Sequence, residues 1–152
     1  MIHLRDLSVN CIHCASCRRM QARPTSKSRH TYEKNNEQLI LVVEDDLLFL
    51  TLAEIFLRES GYNVVTAENS ARALEHLERS SAISAIVSDI QMPGALDGYG
   101  LITYLRACDV RIPAILTSGG IVPKTLPTDT QFLSKPYSNH ALLSALQQML
   151  AA

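Results

Sequence analysis

The sequence predicts an α/β fold: a doubly wound, five-stranded parallel sheet whose fourth helix is short or missing, preceded by a flexible N-terminal extension. Three observations lead there. From Leu39 onward, short apolar runs alternate with segments of helical periodicity. The first of them, Leu39–Val43, is continuously apolar, as a strand covered on both faces requires, rather than alternating with polar residues. The residues that close the runs are acidic, hydroxylic or basic, which is the pattern left when strand carboxyl ends share one ligand-binding edge.

Each element has its own signal. Leu39–Val43 is an unbroken apolar run and the first strand. Leu47–Ser60 reads as a helix, because Leu48, Leu52, Ile55 and Phe56 recur at three- and four-residue spacing, and Gly61 stops it. Asn63–Ala67 is a short strand. Ser70 is placed to cap a helix to about Arg79, with Ala71, Leu74 and Leu77 on one face. Ile83–Ser88 is the third strand, Tyr99–Ala107 a helix, and Ala114–Ser118 and Gln131–Ser134 two further strands. Pro123 and Pro127, with Gly119 and Gly120, argue against a full helix between Ser118 and Gln131. Asn139–Leu150 is the closing helix, with Leu142, Leu143, Leu146 and Leu150 facing inward. Parallel strands joined by right-handed helical crossovers follow from this order.

The two halves of the chain differ in charge. Residues 1–38 carry seven Lys/Arg and three Asp/Glu, while residues 39–152 carry seven and twelve, giving a net charge of −1. The acidic half argues against direct nucleic-acid binding by the globular domain. No apolar run approaches the ~20 residues that span a bilayer, and the amino terminus lacks the basic-then-apolar order of a secretory signal. A cytoplasmic location is expected. The division is 1–37 as a flexible basic extension and 38–152 as the folded domain.

The strand ends define the candidate site. Glu44, Asp45 and Asp46 close the first strand, Asp89 the third, Ser118 the fourth, and Lys135 follows the fifth. Glu44 and Asp45 at a strand-to-loop bend can reach one cation, with Asp89 supplying a third carboxylate. Mg²⁺ takes one or two carboxylates and keeps several waters, so this set suffices. Asp46 is better read as the cap of the following helix. A carboxylate held beside a metal, as Asp89 would be, can attack phosphorus to give an acyl phosphate. Lys135 offers a point charge to the phosphoryl oxygens and Ser118 a hydrogen-bond donor.

These residues carry a resemblance. Val42-Val43-Glu44-Asp45-Asp46, Asp89 with Met92-Pro93 and Asp97-Gly98, Thr117-Ser118-Gly119 and Lys135-Pro136-Tyr137, in this order, resemble a response-regulator receiver domain of two-component signalling over about residues 38–150. The resemblance implies a flavodoxin-like sheet of order 2-1-3-4-5. It implies Asp89 as phosphoacceptor, Asp45 and Asp89 as direct Mg²⁺ ligands, Glu44 acting through water, and the main-chain carbonyl of Gln91 as a further ligand. Ser118, rather than Thr117, falls at the switch hydroxyl, Phe132 at the switch aromatic, and Lys135 at the phosphate-binding cation. A cis bond before Pro136 is also implied.

There are departures. Gly94-Ala95-Leu96 makes the gap from Pro93 to Asp97 longer by one residue than the common spacing, as in receivers attached to hybrid kinases. The stretch from Ser118 to Lys135 is shorter than usual, and the missing length is the fourth helix. Gly120 has no side chain to shield or orient attacking water.

Cys11, Cys14 and Cys17, with His13 or His30, have metal-like spacing but no matched second pair, so a reduced, unstructured segment is the expectation. Cys108 is expected to be buried or inert.

The functional expectation is a stand-alone receiver. It takes a phosphoryl group from a histidine kinase or phosphotransfer protein and signals to a downstream protein by contact or phosphorelay. It is not an enzyme beyond autophosphatase activity. The alternative is an adaptor that binds partners without phosphorylation. A phosphatase of haloacid-dehalogenase type is discounted, since that class usually carries a second acid two residues after its nucleophile and Gln91 stands there.

Overall fold

The computed structural model describes residues 37–152. The cysteine segment of Cys11, Cys14 and Cys17, with His13 and His30, lies outside the described residues.

Nine elements follow one another: β1 (Leu39–Val43), α1 (Leu47–Glu59), β2 (Asn63–Ala67), α2 (Ser70–Arg79), β3 (Ile83–Asp89), α3 (Gly98–Ala107), β4 (Ala114–Ser118), β5 (Thr130–Ser134) and α4 (Asn139–Ala151). The five strands form one parallel sheet in the order β2-β1-β3-β4-β5. Residues 119–129 cross from β4 to β5 without a helix, as the prolines and glycines there predict.

The continuous apolar runs divide between two cores because successive strand residues point to opposite faces. Leu41, Val43 and Ile86 pack on one face with Ala73, Leu74 and Leu77 of α2 and Leu101, Ile102 and Leu105 of α3. Ile40, Val42, Ala85 and Val87 pack on the other with Leu50 and Leu57 of α1 and Leu142 and Leu146 of α4. Leu143 and Leu150 are partly buried against this second core. Both faces are covered, so the chain order places all five strand ends at one edge.

Two helices differ from the sequence reading. In α1, three of the residues that signalled the helix face outward: Leu48, Leu52 and Ile55 are exposed, while Leu50 and Leu57 are buried and Ala53 and Phe56 pack against the core. The helix is apolar on two sides, and the sheet covers only one. In α2, the cap is Asn69, whose side chain accepts a hydrogen bond from the Arg72 N–H at 2.9 Å. The Ser70 hydroxyl instead donates to the Leu96 carbonyl at 2.8 Å. Ala71 is consequently exposed and Ala73 takes its place in the core.

One side chain organises the helix-free crossover. The Arg106 guanidinium donates to the carbonyls of Thr128 (2.7 Å), Val110 (2.6 Å), Ile112 (2.8 Å) and Asp129 (3.2 Å). Tyr99 adds a hydroxyl bond to the Thr125 carbonyl at 3.2 Å. α3 thereby ties down a connection that has no helix of its own.

Candidate functional site at the carboxyl edge

Glu44 and Asp45 leave the end of β1, Asp89 ends β3, Ser118 ends β4 and Lys135 follows β5. Asp46 accepts from the Leu48 and Phe49 N–H groups and caps α1, as expected. Gly98 lets the start of α3 close on this edge: a Cβ there would stand 1.8 Å from the Asp89 carbonyl oxygen and 2.7 Å from Ser88 Oγ. Asp97 caps α3 by accepting from the Gly100 N–H at 2.7 Å.

These ends converge. One carboxylate oxygen from each of Glu44, Asp45 and Asp89 lies within 4.8 Å of the others. Lys135 Nζ sits 2.7 Å from Glu44 Oε2 and 2.8 Å from Asp89 Oδ1. Glu44 and Asp89 are only 7% and 5% exposed, whereas Asp45 is open to solvent. Two carboxylate charges 4.8 Å apart repel by roughly 3.5 kcal/mol at an effective dielectric of 20. One ammonium cannot offset three carboxylates, so the cluster holds surplus negative charge.

The titration of the pair reflects that surplus. Burial pushes the Glu44 carboxyl above its ordinary value; the Lys135 hydrogen bond opposes the rise and the Asp89 charge adds to it. Burial by itself would lower the Lys135 ammonium, but its hydrogen bonds to Asp89 and Glu44 outweigh burial and leave it raised. The two partners rise together for a simple reason. Lys135 has two carboxylates to itself, while Glu44 shares one cation with Asp89.

Ser118 is buried and its hydroxyl donates to Gln91 Oε1 at 3.3 Å. It also accepts from the N–H groups of Gly120 (3.2 Å) and Ile121 (3.0 Å), which binds it to the start of the crossover. Thr117 is equally buried and pairs with Asp89 in the β3–β4 ladder. Phe132 is partly buried against the α2/α3 core. The Lys135–Pro136 bond is cis.

Two contacts were not legible beforehand. The Gln91 side chain, not only its main chain, belongs to the site through Ser118. Phe49 lies under Lys135, with Nζ 5.2 Å from its ring centroid.

Known proteins bear on this geometry. The family model of the response regulator receiver domain matches residues 40–147. The chain belongs to that family. As a receiver domain of two-component systems it is 35% identical over 128 residues to the CAI-1 autoinducer sensor kinase/phosphatase CqsS of Vibrio cholerae serotype O1, covering 80% of this chain and 18% of that kinase. The chain thus spans less than a fifth of that relative's length. Among solved structures it resembles the receiver domain of the hybrid histidine kinase CckA (31% identity, TM-score 0.64, 74% of this chain and 98% of that one). It also resembles the receiver domain of the sensor histidine kinase PA1611 of Pseudomonas aeruginosa PAO1 (28% identity, TM-score 0.67, 76% of this chain and 98% of that one). That structure has a magnesium ion coordinated in its active site cleft. Among the described residues of the receiver, no helix is long and apolar enough to cross a membrane.

Proposed function

We propose that this receiver accepts a phosphoryl group on Asp89 from a histidine kinase or phosphotransfer protein, and signals onward by protein contact or phosphorelay. The observation that carries the reading is Lys135 Nζ within 2.8 Å of Asp89 Oδ1, beside three carboxylates that share one small volume.

The chemistry follows from the groups present. An Asp89 carboxylate oxygen attacks the donor phosphorus and the new P–O bond forms. The bond from phosphorus to the donor's imidazole nitrogen breaks, and that nitrogen keeps the electron pair and takes a proton. Lys135 is close enough to Asp89 to follow the phosphoryl oxygens and offset their charge. Ser118 exchanges its Gln91 acceptor for a phosphoryl oxygen, which makes it the switch hydroxyl, with Phe132 as the accompanying aromatic.

The donor set fits Mg²⁺: hard oxygen ligands, two of them buried, carrying surplus charge that a divalent cation relieves. Asp45 and Asp89 would hold it directly, Glu44 through water, and the Gln91 carbonyl would complete the protein ligands. When bound, the ion neutralises charge on the transferring group. The chain does not turn over a separate substrate; at most it hydrolyses its own acyl phosphate. We place it in the cytoplasm, where a kinase donor would meet it.

Exposed Leu47, Leu48 and Phe49 at the start of α1 give a protein donor an apolar surface next to Asp45. The test is labelling by acetyl phosphate with Mg²⁺, together with binding of beryllofluoride. Stoichiometric labelling that Asp89→Asn abolishes is expected. Labelling that persists in Asp89→Asn refutes the assignment, and no labelling of the natural chain leaves the adaptor reading in its place.

A further inference from the structure

The Lys135 ammonium has three N–H bonds. Two are spent on Glu44 and Asp89. Phe49 faces the same ammonium with its ring, at 5.2 Å from Nζ to the centroid, inside the distance at which an ammonium is drawn to an aromatic face. Phe49 is 53% exposed and, among the described residues, belongs to neither hydrophobic core. Its backbone is held: the Phe49 N–H donates to the Asp46 cap at 3.3 Å, which fixes the first turn of α1 beside the acid cluster.

We propose that Phe49 is a positioning residue for Lys135. Its ring closes the outer side of the ammonium and keeps the lysine on the Asp89 oxygen that takes the phosphoryl group. This role rests on the phosphoacceptor reading above. It has a consequence for donors. Phe49 is also part of the exposed apolar start of α1, with Leu47 and Leu48. A protein that covers this turn removes water from the ring and the ammonium together, and the attraction strengthens as water leaves. A small-molecule donor does not. Phe49 thereby links partner contact to the set of the phosphate-binding cation.

The test compares Phe49→Leu, which keeps an apolar side chain and removes the ring, with Phe49→Tyr, which keeps the ring. In the unphosphorylated chain, NMR of the Lys135 ε-methylene protons should show a ring-current shift that Phe49→Leu abolishes and Phe49→Tyr retains. Beryllofluoride with Mg²⁺ should bind about threefold more weakly to Phe49→Leu and within error of the natural chain to Phe49→Tyr, the size of an exposed cation–π contact. The thermal midpoint of Phe49→Leu should fall by no more than a few degrees, the size of one exposed cation–π contact, and that of Phe49→Tyr should match the natural chain, because the ring is outside the cores. Unshifted ε-methylene protons in the natural chain, equal beryllofluoride affinity in Phe49→Leu, or no rescue by Phe49→Tyr would overturn the proposal. Failure of the natural chain to bind beryllofluoride would instead refute the phosphoacceptor reading, and the role with it, whatever the lysine shifts show.

Discussion

Two places in this molecule set one cation against several oxygens, and they do opposite things with it. At the carboxyl edge, Lys135 faces the charged oxygens of Glu44 and Asp89, with Asp45 close by. At the far end of α3, Arg106 faces four neutral carbonyls, those of Thr128, Val110, Ile112 and Asp129. The Arg106 cluster has no surplus negative charge, and its planar fork matches fixed backbone dipoles, so it holds loops. The Lys135 cluster has more negative charge than one ammonium offsets, so its surplus suits a further cation. Burial lowers the Arg106 guanidinium, with the Asp129 charge opposing, whereas Lys135 is raised despite burial. Charged partners outweigh burial at Lys135, whereas at Arg106 burial decides the sign.

The comparison can be broken at several points. The largest effect is expected from Asp89→Asn: labelling by acetyl phosphate falls to background while the thermal midpoint does not fall, because a like charge has been removed. Arg106→Ala should do the reverse. It is expected to cost roughly 2–4 kcal/mol in urea denaturation, the range for losing several hydrogen bonds to a charged group. Labelling of the folded fraction should be preserved. Gly98→Ala touches both properties, since its Cβ would overlap the Asp89 carbonyl and force α3 away. About 1–3 kcal/mol of destabilisation, with slowed labelling, is the expected result.

The smallest effect concerns Mg²⁺ and pH. At 10 to 100 times its dissociation constant, Mg²⁺ should stabilise the fold by about 1.4–2.7 kcal/mol, read as a rise in thermal midpoint. Asp45→Asn should remove most of that rise. Glu44 has a folded value above its ordinary 4.5, so its protonated form is favoured in the fold. Its contribution is therefore full below 4.5 and is lost as pH rises through the raised value. Mg²⁺ relieves the charge that appears, so its stabilising effect should grow as pH rises from 4.5 through the raised value. A midpoint shift that does not change with pH above 4.5 would detach Glu44 from the cation site.

The same contrast explains what could be read without coordinates. The sheet was legible because β1 is a continuous apolar run and β3 and β4 are largely apolar, and the acid cluster because Glu44, Asp45 and Asp89 close such runs. The receiver pattern then supplied the strand order. The outward face of α1 was not legible: Leu48, Leu52 and Ile55 have the spacing of a buried stripe, and only the position of the sheet shows that Leu50 and Leu57 are the buried pair. The α2 cap moved to Asn69 because asparagine and serine are both strong caps and stand side by side. Arg106 was missed because its partners are backbone carbonyls, which leave no mark in a sequence. Phe49 was missed because its meeting with Lys135 joins residues far apart in the chain.

One measurement tests the central claim most directly. After treatment with acetyl phosphate and Mg²⁺, borohydride reduction converts an aspartyl phosphate to homoserine, which peptide mass spectrometry can locate. The account predicts homoserine at position 89 and at no other acidic position. Homoserine at position 45, 46 or 97, with Asp89 unmodified, would contradict it.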